Sequence, residues 1–278
     1  MTDKQTFAFF YRKSMPEAES WVKKIRIWIR KKRPDFKEVG INPDFLFVLG
    51  GDGTVLEAAH RYRKEPVIVS LNLGNVGFLS SVRSSKNFLS VLEKMFKGAY
   101  SEEKRMLLSI RAYRKNKKVF ETESLNEAAI QNPLGMVELE VNIEDHPFQY
   151  VRGTGVLVST ATGSTAFNLS AHGPVVMPEM ECMIITELLD HNIPTPSFVV
   201  TGDKVVRLKV LNFRKHGLLS LTKTKKPVDV VLSGDSNSVF PLEPGDMVEI
   251  RKAERYVKFA VFEKNYFLKS VQEKFSFG

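Results

Sequence analysis

The chain has 278 residues, 43% of them hydrophobic and 10% aromatic, which is enough apolar material for two domain cores. Its 41 Lys+Arg outnumber 32 Asp+Glu, and the resulting charge of +9 directs attention to polyanions: nucleic acid, an acidic membrane surface or a phosphate-rich substrate. One cysteine, Cys182, excludes an internal disulfide framework. The N-terminus lacks a signal-peptide core and no apolar run could span a bilayer, so a cytoplasmic protein without membrane contact is expected.

In chain order, Thr6 to Tyr11 is apolar and aromatic enough for a first strand. From Met15 to Lys32 the apolar positions recur at helical spacing, and the pattern breaks at Arg33-Pro34. A buried strand, Phe45 to Leu49, runs into the turn Gly50-Gly51-Asp52-Gly53-Thr54, and Val55 to Arg63 suits a helix. The strand Pro66 to Leu71 leads to a second glycine loop, Asn72-Leu73-Gly74-Asn75-Val76-Gly77-Phe78-Leu79. Phe88, Leu89, Val91, Leu92 and Met95 then mark a helix that ends before Gly98. Strands alternating with helices through short loops imply a mainly parallel sheet, whose ligands sit beyond the C-terminal strand ends, where both glycine loops fall.

After about residue 104 the pattern becomes β-rich. Strands are expected at Leu107 to Arg114, Leu125 to Gln131, Met136 to Ile143, Val156 to Thr160, Val205 to Leu211, Val228 to Leu232, Met247 to Arg251 and Tyr256 to Phe262. One segment interrupts them: Ser159-Thr160-Ala161-Thr162-Gly163-Ser164-Thr165-Ala166, hydroxylated at five of eight positions, ahead of the helix-compatible run Phe167 to His172. Hydroxyls and free N–H groups at such a place can hold a ribose, a phosphate or an adenine edge.

The turn at Gly50 to Thr54 has the strongest chemical reading. Its glycines allow close approach to a phosphate, and Asp52 is the one acid placed to act there, so the turn reads as phosphoryl transfer. A plain strand-to-helix turn with Asp52 as helix cap is the structural alternative. The sequence matches neither a Walker A loop nor GxGxxG. In the second loop, Asn72 could offer a side-chain hydrogen bond and Phe78 an apolar wall, or the loop could simply return the chain. Asn126-Glu127 is a polar pair within an apolar strand, so it either faces a ligand or reaches a solvated edge. The five histidines stand singly without zinc spacing, and Ser164 lacks a GxSxG context. Basic clusters at Lys23-Lys24, Arg30 to Arg33, Lys115 to Lys118 and Lys223 to Lys226 read as solvated helix ends and hairpin tips, since no aromatics interleave them as a single-strand nucleic-acid surface requires.

Together the Gly50 to Thr54 turn, the Asn72 to Leu79 loop, Leu125-Asn126-Glu127, and Ser159 to Phe167 with Gly173-Pro174 following resemble the NAD kinase family. The resemblance runs from about Phe45 to the C-terminus, and the hydroxyl-rich loop separates it from lipid and sugar kinases that share the first turn. It implies a Rossmann-like α/β domain over residues 1–104 and a β-rich, β-sandwich-like NAD-binding domain over 105–262, with a tail at 263–278 that packs back on the first. An active site between the domains, in a homodimer or homotetramer, is also implied. The implied reaction is phosphorylation of the 2′-hydroxyl of the adenosine ribose of NAD to give NADP, with ATP or polyphosphate as donor and Mg2+ or another divalent cation carried on the donor phosphates.

Carried onto this chain, the resemblance makes Asp52 the proton acceptor and lets NAD lie against Gly51, Gly53 and Thr54. Asn72 and Phe78 border the nucleotide, and Asn126 and Glu127 hold its adenine and ribose side. Thr162, Thr165, Ala166 and Phe167 line the adenine and nicotinamide pockets with Asn168, Leu169 and Ser170 behind them, while Arg152 and Asp235 match two further family positions. Where the family commonly has Gly-Asp-Gly, this chain has Gly153-Thr154-Gly155, which implies altered NAD affinity or altered subunit contacts. Ala161 replaces a family proline, and Ser236 stands where glycine often follows the aspartate. A non-catalytic dinucleotide sensor, suggested by Thr154, and a lipid kinase are the alternatives.

Overall fold

The computed structural model describes residues 5–74, 77–191, 195–220, 227–235 and 238–275. Its chain divides into two compact units, one of Met1–Arg105 with Tyr256–Gly278 and one of Met106–Arg255.

The first unit is built on a parallel sheet. Strand β1 (Thr6–Tyr11) pairs with β2 (Lys37–Glu38) and with β3 (Phe45–Leu49), β3 pairs with β4 (Val67–Leu71), and all three pairings are parallel. Residues 256–261 add a parallel strand beside β4, with Lys258 opposite Val67 and Phe259 opposite Ile68. This pairing is why they cluster with the first unit although their sequence pattern groups them with the β-rich half. All five residues of β3 are buried, as expected of a parallel strand covered on both faces.

Helix α1 (Pro16–Lys32) opens on proline with Glu17 and Glu19 in its first turn and closes on Arg30, Lys31 and Lys32, an order that complements the helix dipole. Its stripe Ala18, Val22, Ile25 and Ile29 enters a core with Phe7, Phe45, Phe47 and Leu49, which helix α3 (Phe88–Phe96) completes with Phe88, Val91, Leu92 and Met95. Trp21 meets Phe88 and Trp28 stacks on Phe96, with ring centroids 5.0 and 5.8 Å apart. Helix α2 (Asp52–Arg61) leaves the C-terminal end of β3 and buries Val55, Ala58 and Ala59.

Two larger sheets dominate the described residues of the second unit. A six-stranded antiparallel sheet runs β12 (Phe198–Thr201), β11 (Cys182–Leu188), β10 (Gly155–Thr160), β7 (Glu127–Gln131), β16 (Val230–Gly234), β17 (Ser238–Leu242). The other includes β9 (His146–Gly153), β8 (Val137–Ile143), β13 (Val206–Phe213) and residues 247–250 of β18 (Met247–Val261), joined in antiparallel register. Strands β5 (Ser101–Arg114) and β6 (Lys117–Ser124) form a hairpin with Lys115 and Asn116 at its tip, both at positive φ, and a two-strand ribbon pairs β14 (Leu219–Ser220) with β15 (Pro227–Val228). One core holds the two sheets together: Ile110, Ala128, Ile130, Leu139, Val158, Ile185, Leu208 and Val248 are all within it.

Several strands go beyond the sequence expectation, and for four of them the reason is plain. Both β6 and β9 are edge-like and largely polar, so they lack an apolar signal. The third, β11, carries a short apolar run that suits a buried helix equally well, and β12 is four residues of mostly exposed chain. Met247 to Arg251 and Tyr256 to Phe262 form one strand instead of two, because Lys252 to Arg255 continue the ladder without a turn. The cluster Lys223 to Lys226, the pair Asn75-Val76 and Ser236 lie outside the described residues.

Candidate active site

In the first unit the chemistry gathers where β3 and β4 end side by side. Leu49 lies opposite Leu71, and the Gly50 N–H donates to the Leu71 carbonyl at 3.2 Å, so both glycine loops leave the sheet at one edge. A Cβ on Gly50 would sit 2.5 Å from Thr54 Oγ1, which makes glycine necessary for the turn. Gly51 takes the helix-cap position and Asp52 falls in the first turn of α2, where the dipole favours a carboxylate.

The Asp52 carboxylate accepts from two amides of the second loop: Phe78 N–H to Oδ2 at 2.9 Å and Leu79 N–H to Oδ1 at 3.3 Å. Gly77 makes this possible, because a Cβ there would lie 2.1 Å from Asp52 Oδ1. The two motifs are therefore one construction, in which the second loop holds the acid of the first. Asn72 is buried and uses Oδ1 to accept from the Gly74 N–H at 2.9 Å. Phe78 is also buried, packed against Phe267 and Phe275 with the Lys274 ammonium 5.3 Å from its ring centroid. Thr54 is buried, whereas Gly53 is exposed at the turn.

In the second unit the polar pair lies at the start of β7. Asn126 is 8% exposed and Glu127 7%, and the buried Asp235 organises the backbone around them. Its carboxylate accepts from the Leu125, Asn126 and Glu127 N–H groups at 2.7, 2.8 and 3.2 Å, and its own backbone N–H donates to the Glu127 carbonyl at 3.2 Å. Burial, aided by the negative charge of Asp235, pushes the Glu127 carboxyl up to about 8 against a weaker opposing hydrogen bond from the Phe167 backbone. Glu127 Oε2 has no hydrogen-bond partner among the described residues, although it is fully buried. A carboxyl whose pKa is raised by burial, with one oxygen unpartnered, has hydrogen-bonding capacity that a polar group such as a hydroxyl would satisfy.

The hydroxyl-rich segment is tied to the same strand start. Thr160 Oγ1 donates to the Leu125 carbonyl at 2.6 Å and accepts from the Gly163 N–H at 3.1 Å, while Ser159 Oγ donates to the Asn126 carbonyl at 3.2 Å. No side chain fits at Gly163, where a Cβ would lie 2.2 Å from the Asn126 oxygen. Residues Thr162–Thr165 form a 3-10 turn, and α4 (Phe167–Ser170) follows with Thr165, Ala166 and Phe167 only partly covered. This is shorter than the helix expected to His172, because Gly173 must approach Asn168: a Cβ on Gly173 would be 2.1 Å from Asn168 Oδ1.

Asn168 is enclosed, donating to the Pro174 carbonyl at 3.0 Å and accepting from the Thr186 hydroxyl at 2.8 Å, so it braces the loop from behind. Leu169 is partly covered beside it. A cavity of about 610 Å³ is lined by Thr154, Phe167, Ser170, His172, Thr186 and Leu188, among others. The structure thus brings Thr154, Phe167 and Ser170 together, whereas Arg152 stands outside the cavity with Nε 3.6 Å from Glu138. Gly153 and Gly155 flank Thr154 because a Cβ on either would strike backbone, 2.7 Å from the Leu189 oxygen and 1.9 Å from the Ile130 oxygen.

Gly77, Thr160 and Thr186 shape the site without being singled out by their sequence context. For Gly77 the signal lay in the second glycine loop, but its partner Asp52 is 25 residues earlier; Thr186 carried none, in a strand unmarked by turn residues. Among the described residues no group of three or more His, Cys, Asp and Glu side chains could hold a metal ion, and no helix is long and apolar enough to cross a membrane.

Known proteins resemble this chain in sequence and in fold. Residues 2–100 match the family model of the ATP-NAD kinase N-terminal domain and residues 125–262 that of the ATP-NAD kinase C-terminal domain. The NAD kinase of Caldanaerobacter subterraneus subsp. tengcongensis is 31% identical over 252 residues, 90% of this chain and 84% of the relative. That of Symbiobacterium thermophilum is 36% identical over 213 residues, 76% and 70% of the two chains. Among solved structures, yeast NADH kinase complexed with NADH has a TM-score of 0.86 at 18% identity, covering 100% of this chain and 89% of the other. An NAD kinase from Archaeoglobus fulgidus in complex with ATP gives 0.74 at 21%, covering 99% and 100%; both likenesses establish the fold. By its two family domains and by its sequence relatives, the chain belongs to the NAD kinase family and is a phosphotransferase acting on an alcohol acceptor.

Proposed function

We propose that this chain phosphorylates the 2′-hydroxyl of the adenosine ribose of NAD, giving NADP, with Asp52 as the group that orients and deprotonates that hydroxyl. The observation that carries the reading is the Asp52 carboxylate itself, set in the first turn of α2 and held by the Phe78 and Leu79 amides. Asp52 accepts the hydroxyl proton while the ribose oxygen bonds to the terminal phosphorus of the donor and the bond from that phosphorus to ADP breaks. Such a transfer passes through a loose transition state, so alignment and neutralisation of charge are most of what the protein supplies.

Asn126 and the neutral Glu127 hold the ribose and adenine of NAD, with Glu127 Oε2 offering the open hydrogen-bonding position. Phe167, with Thr162, Thr165 and Ala166, forms the apolar and hydroxylated wall, and Thr154 borders the same cavity as Phe167. ATP in the Archaeoglobus relative and NADH in the yeast relative support a nucleotide donor and a dinucleotide acceptor. The donor, ATP or polyphosphate, enters as its complex with Mg2+ or another divalent cation. A cytoplasmic homodimer or homotetramer completes the reading.

Asp52→Asn tests the central role. It keeps the shape and one of the two amide contacts, since Nδ2 cannot accept an N–H, while removing the proton acceptor, so turnover falls by roughly a thousandfold with NAD affinity within threefold of the parent. A variant that retains near-normal turnover removes Asp52 from the mechanism. The sensor alternative requires that the parent chain bind NAD and form no NADP at any enzyme concentration.

A further inference from the structure

The C-terminal helix, Tyr266–Phe275, belongs to the first unit and reaches the loop that holds Asp52. Ser270 is fully buried, and the single proton of its hydroxyl is shared between the Gly77 carbonyl at 3.2 Å and the Tyr266 carbonyl at 3.1 Å. Phe78, the next residue of the loop, packs between Phe267 and Phe275 of the helix. Four residues beyond Leu79, Arg83 also ties to the helix: it donates to Ser270 Oγ at 2.8 Å, to Glu273 at 2.7 Å and to the Tyr266 carbonyl.

These contacts converge on a short piece of backbone. Gly77 carries the carbonyl that Ser270 holds, and the next two amides, Phe78 and Leu79, are the donors to Asp52. On its sheet side the loop is anchored by Ser80 Oγ donating to the Ser70 carbonyl at 2.8 Å and by the Asn72 N–H donating to the Val82 carbonyl at 3.0 Å. That anchoring alone would fix the loop's ends. It does not reach the Gly77 and Phe78 peptide planes, whose direction decides whether two N–H groups point at the carboxylate.

We propose that Ser270 is a positioning residue for phosphoryl transfer: through the Gly77 carbonyl it sets the Phe78 and Leu79 amides, and through them the Asp52 carboxylate. The C-terminal helix is therefore part of the catalytic apparatus although no residue of it touches the reacting atoms. The consequence for rate rests on the function proposed above, whereas the effect on the two amides does not.

Ser270→Ala removes the hydroxyl and keeps the helix. We expect the exchange of the Phe78 and Leu79 amide protons with solvent to quicken by about tenfold, kcat to fall by about tenfold, and KM for NAD and ATP to stay within twofold. Should the Ala variant fold poorly, Ser270→Cys keeps a weaker donor and is expected to give a kcat between that of Ala and the parent. Unchanged exchange at the two amides overturns the proposal whatever the rate, and so does faster exchange with unchanged kcat. Measured beside them, Asp52→Asn with normal turnover would mark a failure of the Asp52 role and not of the helix's hold on the loop.

Discussion

Glu127 makes the stability of this protein depend on pH in a direction opposite to that of most carboxylates. Its pKa moves from the usual 4.5 to about 8, a difference of 3.5 units, because the carboxyl is 7% exposed and faces Asp235. Below about pH 4.5 the group is protonated in the folded and unfolded chains alike and contributes no difference. Between 4.5 and 8 the unfolded chain ionises while the folded chain keeps its proton, so stability falls with rising pH by up to about 1.4 kcal/mol per unit. Above 8 the whole difference, on the order of 5 kcal/mol, is lost. Glu127→Gln replaces the carboxyl with a permanently neutral group of the same shape and removes this slope. Urea unfolding of parent and variant at pH 5, 6, 7, 8 and 9, followed by a probe placed in the second unit, reads the difference directly. The variant gains on the parent steadily from pH 5 to pH 8 and levels off above it. Parallel curves across that window would refute the reasoning, since they would mean that Glu127 ionises normally in the folded protein.

Three further substitutions follow from geometry. Gly77→Ala places a Cβ 2.1 Å from Asp52 Oδ1 and swings the carboxylate out of place, so kcat falls by roughly a hundredfold while the melting temperature moves only a few degrees. Asp235→Asn weakens three backbone hydrogen bonds and removes a charge facing Glu127; a loss of about 2–3 kcal/mol is expected in urea unfolding, together with a Glu127 titration shifted to lower pH. Gly155→Ala drives a Cβ to 1.9 Å from the Ile130 carbonyl oxygen, a backbone atom of the paired strand that cannot move aside, and costs more than about 3 kcal/mol, visible as loss of soluble protein or a collapsed urea midpoint.

Much of the first unit could be read in the residues because its signals are local. Phe45 to Leu49 is a strand buried on both faces, Ala18 to Ile29 is a helical stripe, and the two glycine loops fall at strand ends in the order that a parallel sheet requires. The second unit was less legible. Edge strands such as His146–Gly153 expose most of their side chains and so carry no apolar pattern. At the site, residue types that suit phosphate or ribose were visible, but the contacts that shape them were not. The Asp52 carboxylate is held by amides 26 and 27 residues away, and the backbone at Asn126 by a carboxylate 109 residues away. Pairings of that range are set by how strands come together, and no local period encodes them. Asn168 shows the same limit: nothing in its sequence neighbourhood encodes that its side chain bonds the Pro174 carbonyl and the Thr186 hydroxyl.

The central step proposed for this protein is the transfer of a phosphoryl group to NAD. The purified chain, incubated with NAD, ATP and magnesium, should produce NADP that an NADP-specific dehydrogenase reduces stoichiometrically, and 2′-deoxyadenosine NAD should give none. Absence of NADP at high enzyme concentration, with ATP and then with polyphosphate as donor and with NAD shown to be bound, would contradict it.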